Sequence, residues 1–324
     1  MAPETKNDNL HMSIIMRKIF ILFVAALCCA TVFATEGALN GKFTINEQGD
    51  QIVFSKGNLQ YVGTWQFATN QWDTIGALQA DDNRDLFGWG TGDAPNKISI
   101  YDSDYASFTD WGTNPITNGG NEANLWRTLT TDEWAYLLRT RTNAATLFAL
   151  GSVDGVNGLI LLPDDWTLPD GAAFTASTTV GLKYQDGDYF GKNGDNHYLD
   201  DTYDVDQWKV MESAGAVFLP SAGSRDDGTD LTYVGWSGMY WSSTPYGTEN
   251  ANCIQVSQYG FRPQDWFPRY CGFSVRLVQA AQSEETAIEN ANANAKAAKR
   301  LVDGTLYIAT PDGKIYTAIG QEMK

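Results

Sequence analysis

The residues of this chain best equipped for chemistry are few. Beyond an apolar N-terminal stretch there are two cysteines, Cys253 and Cys271, and one histidine, His197. A lone histidine excludes a histidine-based metal triad, and a Ser-His-Asp relay would depend on one residue in a Gly/Asp loop. Cys253 and Cys271 lie 18 positions apart, a spacing that matches no zinc or redox motif. In an oxidising compartment two such thiols are expected to form one disulfide. Carboxylates are plentiful instead, in short runs around Asp81, Asp82 and Asp85, Asp102 and Asp104, Asp186 and Asp188, Asp200 to Asp206, and Asp226 and Asp227. Hard oxygen ligands in Gly-bearing loops would suit a structural calcium, although no run has the EF-hand spacing. No other cofactor is expected. Acidic loops this numerous offer too many candidates for any two to define a glycosidase pair. The chain reads as a non-enzyme, with no catalytic residue assigned.

What the sequence does concentrate is a chemistry of contact. Between Tyr233 and Tyr270 it gathers Tyr, Trp, Asn, Gln, Ser and Asp, side chains that suit a binding surface. Rings stack on sugar faces and fill protein pockets, while neighbouring amides fix orientation. Along Asn250 to Phe261 one side alternates towards a core (Ala251, Cys253 or Ile254, Val256), leaving Asn, Gln and Ser on the other. Trp236, Tyr246, Tyr259, Phe261, Trp266 and Phe267 fall in Gly/Pro-broken stretches that read as loops. The competing role for any ring is core, which is the expectation for Trp65, Trp72, Trp89, Trp126, Trp134, Trp166, Trp208 and Trp241.

The elements that must position these residues are legible in outline. Arg17-Lys18, the apolar run Ile19 to Ala30 and the small residues up to Ala34 form a secretory signal peptide, with Met16 the natural start. That run is too short to span a bilayer, so no membrane insertion is expected after cleavage. Residues 1–34 hold three cations and two anions, so cleavage makes the net charge of −17 more negative by one. Such a balance opposes nucleic-acid or anionic-lipid binding. Residues 35–280 read as one α+β domain. Strands are expected over Gln51–Tyr61 and Thr64–Phe67. One helix is expected from the capping box Thr130-Thr-Asp-Glu133 to Arg141, and a second from Asp204 to a Gly215 stop. Four later runs, Ala216–Leu219, Gly238–Ser242, Asn252–Val256 and Cys271–Leu277, read as strands of one sheet. Residues 281–300 are a polar, low-complexity linker. Residues 301–324 carry two short strands around Pro311-Asp-Gly313, too few to build a core of their own.

Several motifs in order resemble a known family. Phe54-Ser-Lys-Gly-Asn-Leu-Gln-Tyr61, Leu86-Phe-Gly-Trp-Gly90, Trp126-Arg-Thr-Leu-Thr-Thr-Asp-Glu-Trp134, Leu161-Leu-Pro-Asp-Asp-Trp166, Gly238-Met-Tyr-Trp-Ser-Ser-Thr244 and Gly272-Phe-Ser-Val-Arg-Leu-Val278 resemble the C-type-lectin-like fold. The likeness is to the branch of formylglycine-generating enzymes and retroelement variable proteins, and most of all to secreted proteins of the Fibrobacter-major-paralogue type. It implies two helices, a small mostly antiparallel sheet and long ordered loops. From the variable proteins it implies a display face of Tyr233, Trp236, Asn250, Asn252, Gln255, Ser257, Tyr259, Gln264, Asp265, Trp266 and Tyr270. From the oxidases it would imply a copper-binding cysteine pair, but theirs are a few residues apart and these are 18 apart. The calcium-lectin loops Glu-Pro-Asn and Trp-Asn-Asp are absent. The tail, ending Ile315-Tyr-Thr-Ala-Ile-Gly-Gln-Glu-Met-Lys324, resembles sorting domains of type IX secretion. The expectation is a secreted or surface-displayed protein that binds a protein or glycan partner. A structural or adhesive surface component is the alternative, and an oxidase of the formylglycine-generating type a distant third. Fold alone does not decide among them.

Overall fold

The structure is a computed structural model that describes residues 36–76, 83–192, 194–226 and 230–282, and strand residues 298–302, 305–309, 315–317 and 322–323. The expected signal peptide lies outside these residues, as do the linker from 283 to 297 and Asp81, Asp82 and Asp227. The chain divides into two units, one spanning Ala34–Ala281 and the other holding the strands after residue 297.

In chain order the first unit runs β1 (Phe43–Thr44), β2 (Gln51–Phe54), β3 (Leu59–Val62), β4 (Trp65–Phe67), β5 (Asn83–Arg84), α1 (Thr131–Ala135), β6 (Phe148–Val153) and β7 (Val156–Leu161). It continues with β8 (Lys183–Gln185), β9 (Asp188–Phe190), β10 (Asp201–Tyr203), α2 (Val205–Ser213), β11 (Val217–Pro220), β12 (Ser224–Arg225) and β13 (Leu231–Thr232). Three long strands follow, β14 (Ser237–Tyr246), β15 (Asn250–Ser257) and β16 (Gly260–Pro268), and then β17 (Val278–Ala280). The protein is therefore α+β, with two short helices and otherwise sheet. It has no single small sheet: strands order as β1-β2-β17, β4-β3-β5, β10-β6-β7-β11, β12-β13 and β14-β15-β16-β9-β8. Only β10 and β6 pair in parallel among these strands.

Both helices begin with reciprocal capping. Thr130 Oγ1 accepts from the Glu133 amide, and the Glu133 carboxylate accepts from the Thr130 amide at 2.8 Å. The helix expected to reach Arg141 stays α only to Ala135 and then widens into a π-turn over Tyr136–Thr140. Asp204 caps α2 through Gln207 in the same way, and Gly215, at φ 97°, lies just past its end.

The four late runs do not form one sheet. β11 joins β7, while β14 and β15 build the five-stranded sheet. Cys271–Leu277 makes only single bridges, from Gly272 to Arg225, Phe273 to Phe87 and Ser274 to Tyr240. Every residue of it is buried, because it threads between sheets rather than joining one. Arg276 is buried with it, donating to Gln71 Oε1 at 2.7 Å and to Asn58 Oδ1 and the Phe218 carbonyl. Burial pulls its pKa down to about 10. The stretch read as loops after Tyr259 is instead β16. Its prolines disguise it, but Pro263 sits where Cys253 pairs Asp265 and Gln255 pairs Arg262, a bulge with one extra residue on β16 that needs no amide there.

Seven of the eight tryptophans expected in the core are buried, and Trp166 is half-buried against the cluster around Trp208. Trp111, not anticipated, is fully buried in an aromatic cluster with Trp65, Trp89, Trp126 and Trp241.

The second unit is an antiparallel meander, β18 (Ala298–Val302), β19 (Thr305–Ala309), β20 (Ile315–Thr317) and β21 (Glu322–Met323). It has four strands where two were expected, and β18 starts inside the segment read as linker.

Candidate functional site

β15 lies at the centre of the candidate surface, and its side chains alternate strictly. Ala251 and Cys253 pack into the aromatic cluster on one side, whereas Ile254 and Val256 pack on the other with Tyr240, Phe261 and Trp134. The covered side thus changes between Cys253 and Ile254. Asn250 and Asn252 emerge on one side of the sheet, Gln255 and Ser257 on the opposite side. A single display side carrying all four is therefore corrected. The strand keeps its phase because its neighbours hold the irregularities, one in β14 between Trp241 and Pro245 and one in β16.

Cross-strand partners share a side, which gathers one group around Asn250 and Asn252. Tyr246 pairs with Asn250 and Trp266 pairs with Asn252. Reaching across β15, the Tyr246 and Trp266 rings stack at 5.1 Å between centroids and 11° between planes. Each ring is 48% exposed. The Asn252 amide nitrogen donates to the carbonyls of Thr244 and Pro245, which leaves its oxygen for a ligand. Tyr246 reads in the sequence only as a loop ring; its partner strand, hidden by prolines, is what makes it a member of the group.

Arg269 secures this end of the sheet. Its buried guanidinium lies 4.4 Å from the Trp89 ring centroid, and its Nη2 donates to Gly247 O at 3.0 Å and its Nε to Asn250 O at 3.1 Å. The first carbonyl lies in the β14–β15 turn and the second on the opening residue of β15. Its Nη1 reaches Tyr105 O and Ala106 O, and its amide donates to Asp102 Oδ1 at 3.1 Å.

The rest of the expected set lies elsewhere. Tyr233 and Trp236 occupy the turn before β14, Ser257 pairs with Ser237 at that strand's start, and Tyr259 is in the β15–β16 turn. These four share the opposite end of the sheet, where Trp236 is 64% exposed. β15 is eight residues long, so the two ends are about 25 Å apart at ~3.3 Å per residue. Gln264 accepts from Arg139 Nη1 at 2.7 Å, and Asp265 is held by Arg262 at 3.3 Å and by its own neighbour's amide. Tyr270 packs half-buried against the aromatic cluster.

The expected disulfide is absent. Cys253 and Cys271 are separate buried thiols. Cys253 sits mid-strand opposite Trp241, while Cys271 Sγ points to the Asp226 carbonyl at 3.7 Å. Burial, reinforced by Asp265, pushes the Cys253 thiol well above its ordinary range. His197 is buried, with Nδ1 2.6 Å from Asp200 Oδ2 and its amide on Gln258 O. Among the described residues no serine or threonine hydroxyl is a hydrogen-bond partner of its ring. Among the described residues no three His, Cys, Asp or Glu side chains gather as a metal site, and no helix is long and apolar enough to cross a membrane. No family model, no curated protein and no solved structure matches the chain.

Proposed function

We propose that this protein is a secreted or cell-surface recognition module of C-type-lectin-like fold, holding a protein or glycan ligand on its three long strands. The fold reading draws on the order of elements: β2 to β4, the capped helix α1, the strands β6 to β10 with their connecting loops, α2, and then the strands carrying Tyr240-Trp241-Ser242 and the Phe273–Leu277 thread. The observation that carries the function is the exposed Tyr246–Trp266 stack beside neutral amides. Rings of this size are normally buried, and leaving two stacked and half in water is what a contact surface requires. Affinity would come from covering the rings, orientation from the amides. No covalent step is involved.

The test is a glycan array run beside an envelope-protein pulldown, comparing the full chain with Trp266→Ala. Binding that disappears in the variant, at unchanged melting temperature, supports the reading. Binding that persists undiminished places the ligand elsewhere.

A second reading, a structural or adhesive component, draws on the other end of the sheet. There Leu199, Tyr233, Val234, Trp236 and Tyr259 are all exposed. The contacts Tyr198 Oη to Trp236 O, His197 N to Gln258 O and Gly191 N to Tyr259 O join their segments. That apolar patch suits a partner surface. Assembly of the purified chain without added ligand would favour it.

A further inference from the structure

We infer that the segment from Asp165 to Ala176 is a proton-operated strap, closed over the Trp208 cluster while the Asp201 carboxyl carries its proton and loosened when that proton leaves. The strap is fixed at both ends. At its head Asp164 bonds Arg141, Thr44 and Gln51, and its amide donates to Lys42 O. At its tail the Ser177 amide donates to Phe148 O, and its hydroxyl accepts from the Leu150 amide at 2.8 Å. Between these anchors Trp166, Ala172 and Phe174 pack against the cluster of Tyr203, Trp208 and Phe218. Two groups of β10 hold the middle of the strap. Asp201 accepts the Thr175 amide on its two oxygens at 3.1 and 3.2 Å, and the Tyr203 hydroxyl donates to Ala173 O at 2.6 Å.

The two holding groups are coupled through one hydrogen. Tyr203 Oη also lies 3.3 Å from Asp201 Oδ1, and a phenol has a single proton to donate. Directed to Ala173 O, that proton fastens the strap. An ionised carboxylate is the stronger acceptor and draws it away. The surroundings oppose ionisation. Asp201 is 6% exposed, and every carboxylate brought by the elements packed on β10 adds to the negative charge. The preceding turn brings His197 and Asp200, bound to each other at 2.6 Å. β6, which pairs with β10, leads to Asp154 in its turn, and α2 brings Asp204, Asp206 and Lys209, the last tied to Asp206 at 3.4 Å. The strap itself adds Asp165 and Asp170. Burial, with a smaller push from Asp200, outweighs the Thr175 and Tyr203 hydrogen bonds and raises the Asp201 pKa to about 6. Opening the strap returns this carboxyl to water and to its ordinary range. With the closed-state pKa raised, the advantage of the closed form is full below the open-state pKa and is lost as pH rises through 6.

The experiment is hydrogen exchange of the full chain at pH 4.5 and pH 7.5, corrected for the intrinsic pH dependence of amide exchange, comparing the Thr175 amide with those of β15. Between these two pH values the opening equilibrium of the strap should rise roughly twentyfold while the β15 amides stay protected. In Asp201→Asn the rise should vanish, because the side chain no longer titrates. In Tyr203→Phe, which removes the donor to Ala173, the strap should already exchange faster than wild type at pH 4.5. Melting temperatures check the fold of each variant, and the wild-type comparison stands without them. Equal Thr175 protection at both pH values, a loss of protection shared by β15, a pH response that survives Asp201→Asn, or a Tyr203→Phe strap no looser than wild type would each overturn the inference.

Discussion

Asp164 and Arg141 meet at 3.0 Å across 23 residues of chain, and this carboxylate is the knot that ties the N-terminal strands to the helical region. Its other oxygen accepts from Thr44 N, Thr44 Oγ1 and Gln51 Nε2 at 2.7 to 2.9 Å. Burial opposes the charge, but these hydrogen bonds and the guanidinium outweigh it and hold the carboxyl below its usual range. Asp164→Ala should cost about 3 kcal/mol, because it strands the buried Arg141 guanidinium and three donors. With the folded pKa depressed, the contribution is present above the unfolded carboxyl pKa and lost as pH falls through the folded one. Urea unfolding at neutral pH and in acid measures it; a variant as stable as wild type at pH 7 would refute the role.

Asp201 should show the opposite sign. Burial, only partly offset by the Thr175 amide, raises its pKa to about 6 from 3.8. The fold favours the protonated form, so this group's contribution is full below the unfolded pKa and declines as pH rises towards 6. Between pH 4 and pH 7 that decline amounts to roughly 2 kcal/mol. Asp201→Asn should abolish it, so that the stability difference between variant and wild type changes across this range. Parallel curves for the two proteins would show that Asp201 titrates normally.

The two thiols should both be found reduced. Alkylation of the unfolded, unreduced protein followed by mass spectrometry should place a label on Cys253 and on Cys271. In the native state Cys253 should label slowly, since the fold keeps it buried and protonated. A disulfide-linked peptide pair would contradict the structure.

Gly260 has φ 149°, and a Cβ built there would lie 1.9 Å from Tyr189 O, the backbone to which β16 pairs. Gly260→Ala should therefore loosen the β8–β9 hairpin from the sheet and destabilise by about 2 kcal/mol or more. Hydrogen exchange of Tyr189 and Phe190 is the direct readout, and unchanged protection would sink the prediction. Trp266→Ala, by contrast, should cost less than about 1 kcal/mol, as the ring is half in water already.

Local rules read this fold well where a local rule was in charge. The Thr130–Glu133 box and the Asp204 start announce themselves because capping is a matter of a few adjacent residues. So is the β6–β7 turn at Asp154-Gly155, with φ of 50° and 77°, a hairpin signal carried by two adjacent residues that the expected elements left out. Sheet membership was not legible: Cys271–Leu277 alternates like a strand, yet its neighbours come from distant regions of the chain and allow only single bridges. β16 was hidden by Pro263, whose missing amide mattered only after the bulge placed it. At the site, the parity of residue numbers already separated Asn250 and Asn252 from Gln255 and Ser257. Reading them as one group required a slip of phase at Cys253 or Ile254, and the slips turn out to lie in the strands on either side.

The two open ends of β15 are joined by antiparallel pairing along the strand axis on both flanks, interrupted once in each neighbouring strand. A pull between something gripped at Trp266 and something gripped at Trp236 would load the β14–β15–β16 hydrogen bonds in shear, all sharing the force together. The same bonds loaded from a single end would break in succession, like a zip. A molecule built this way resists stretching best along the line that connects its two aromatic ends.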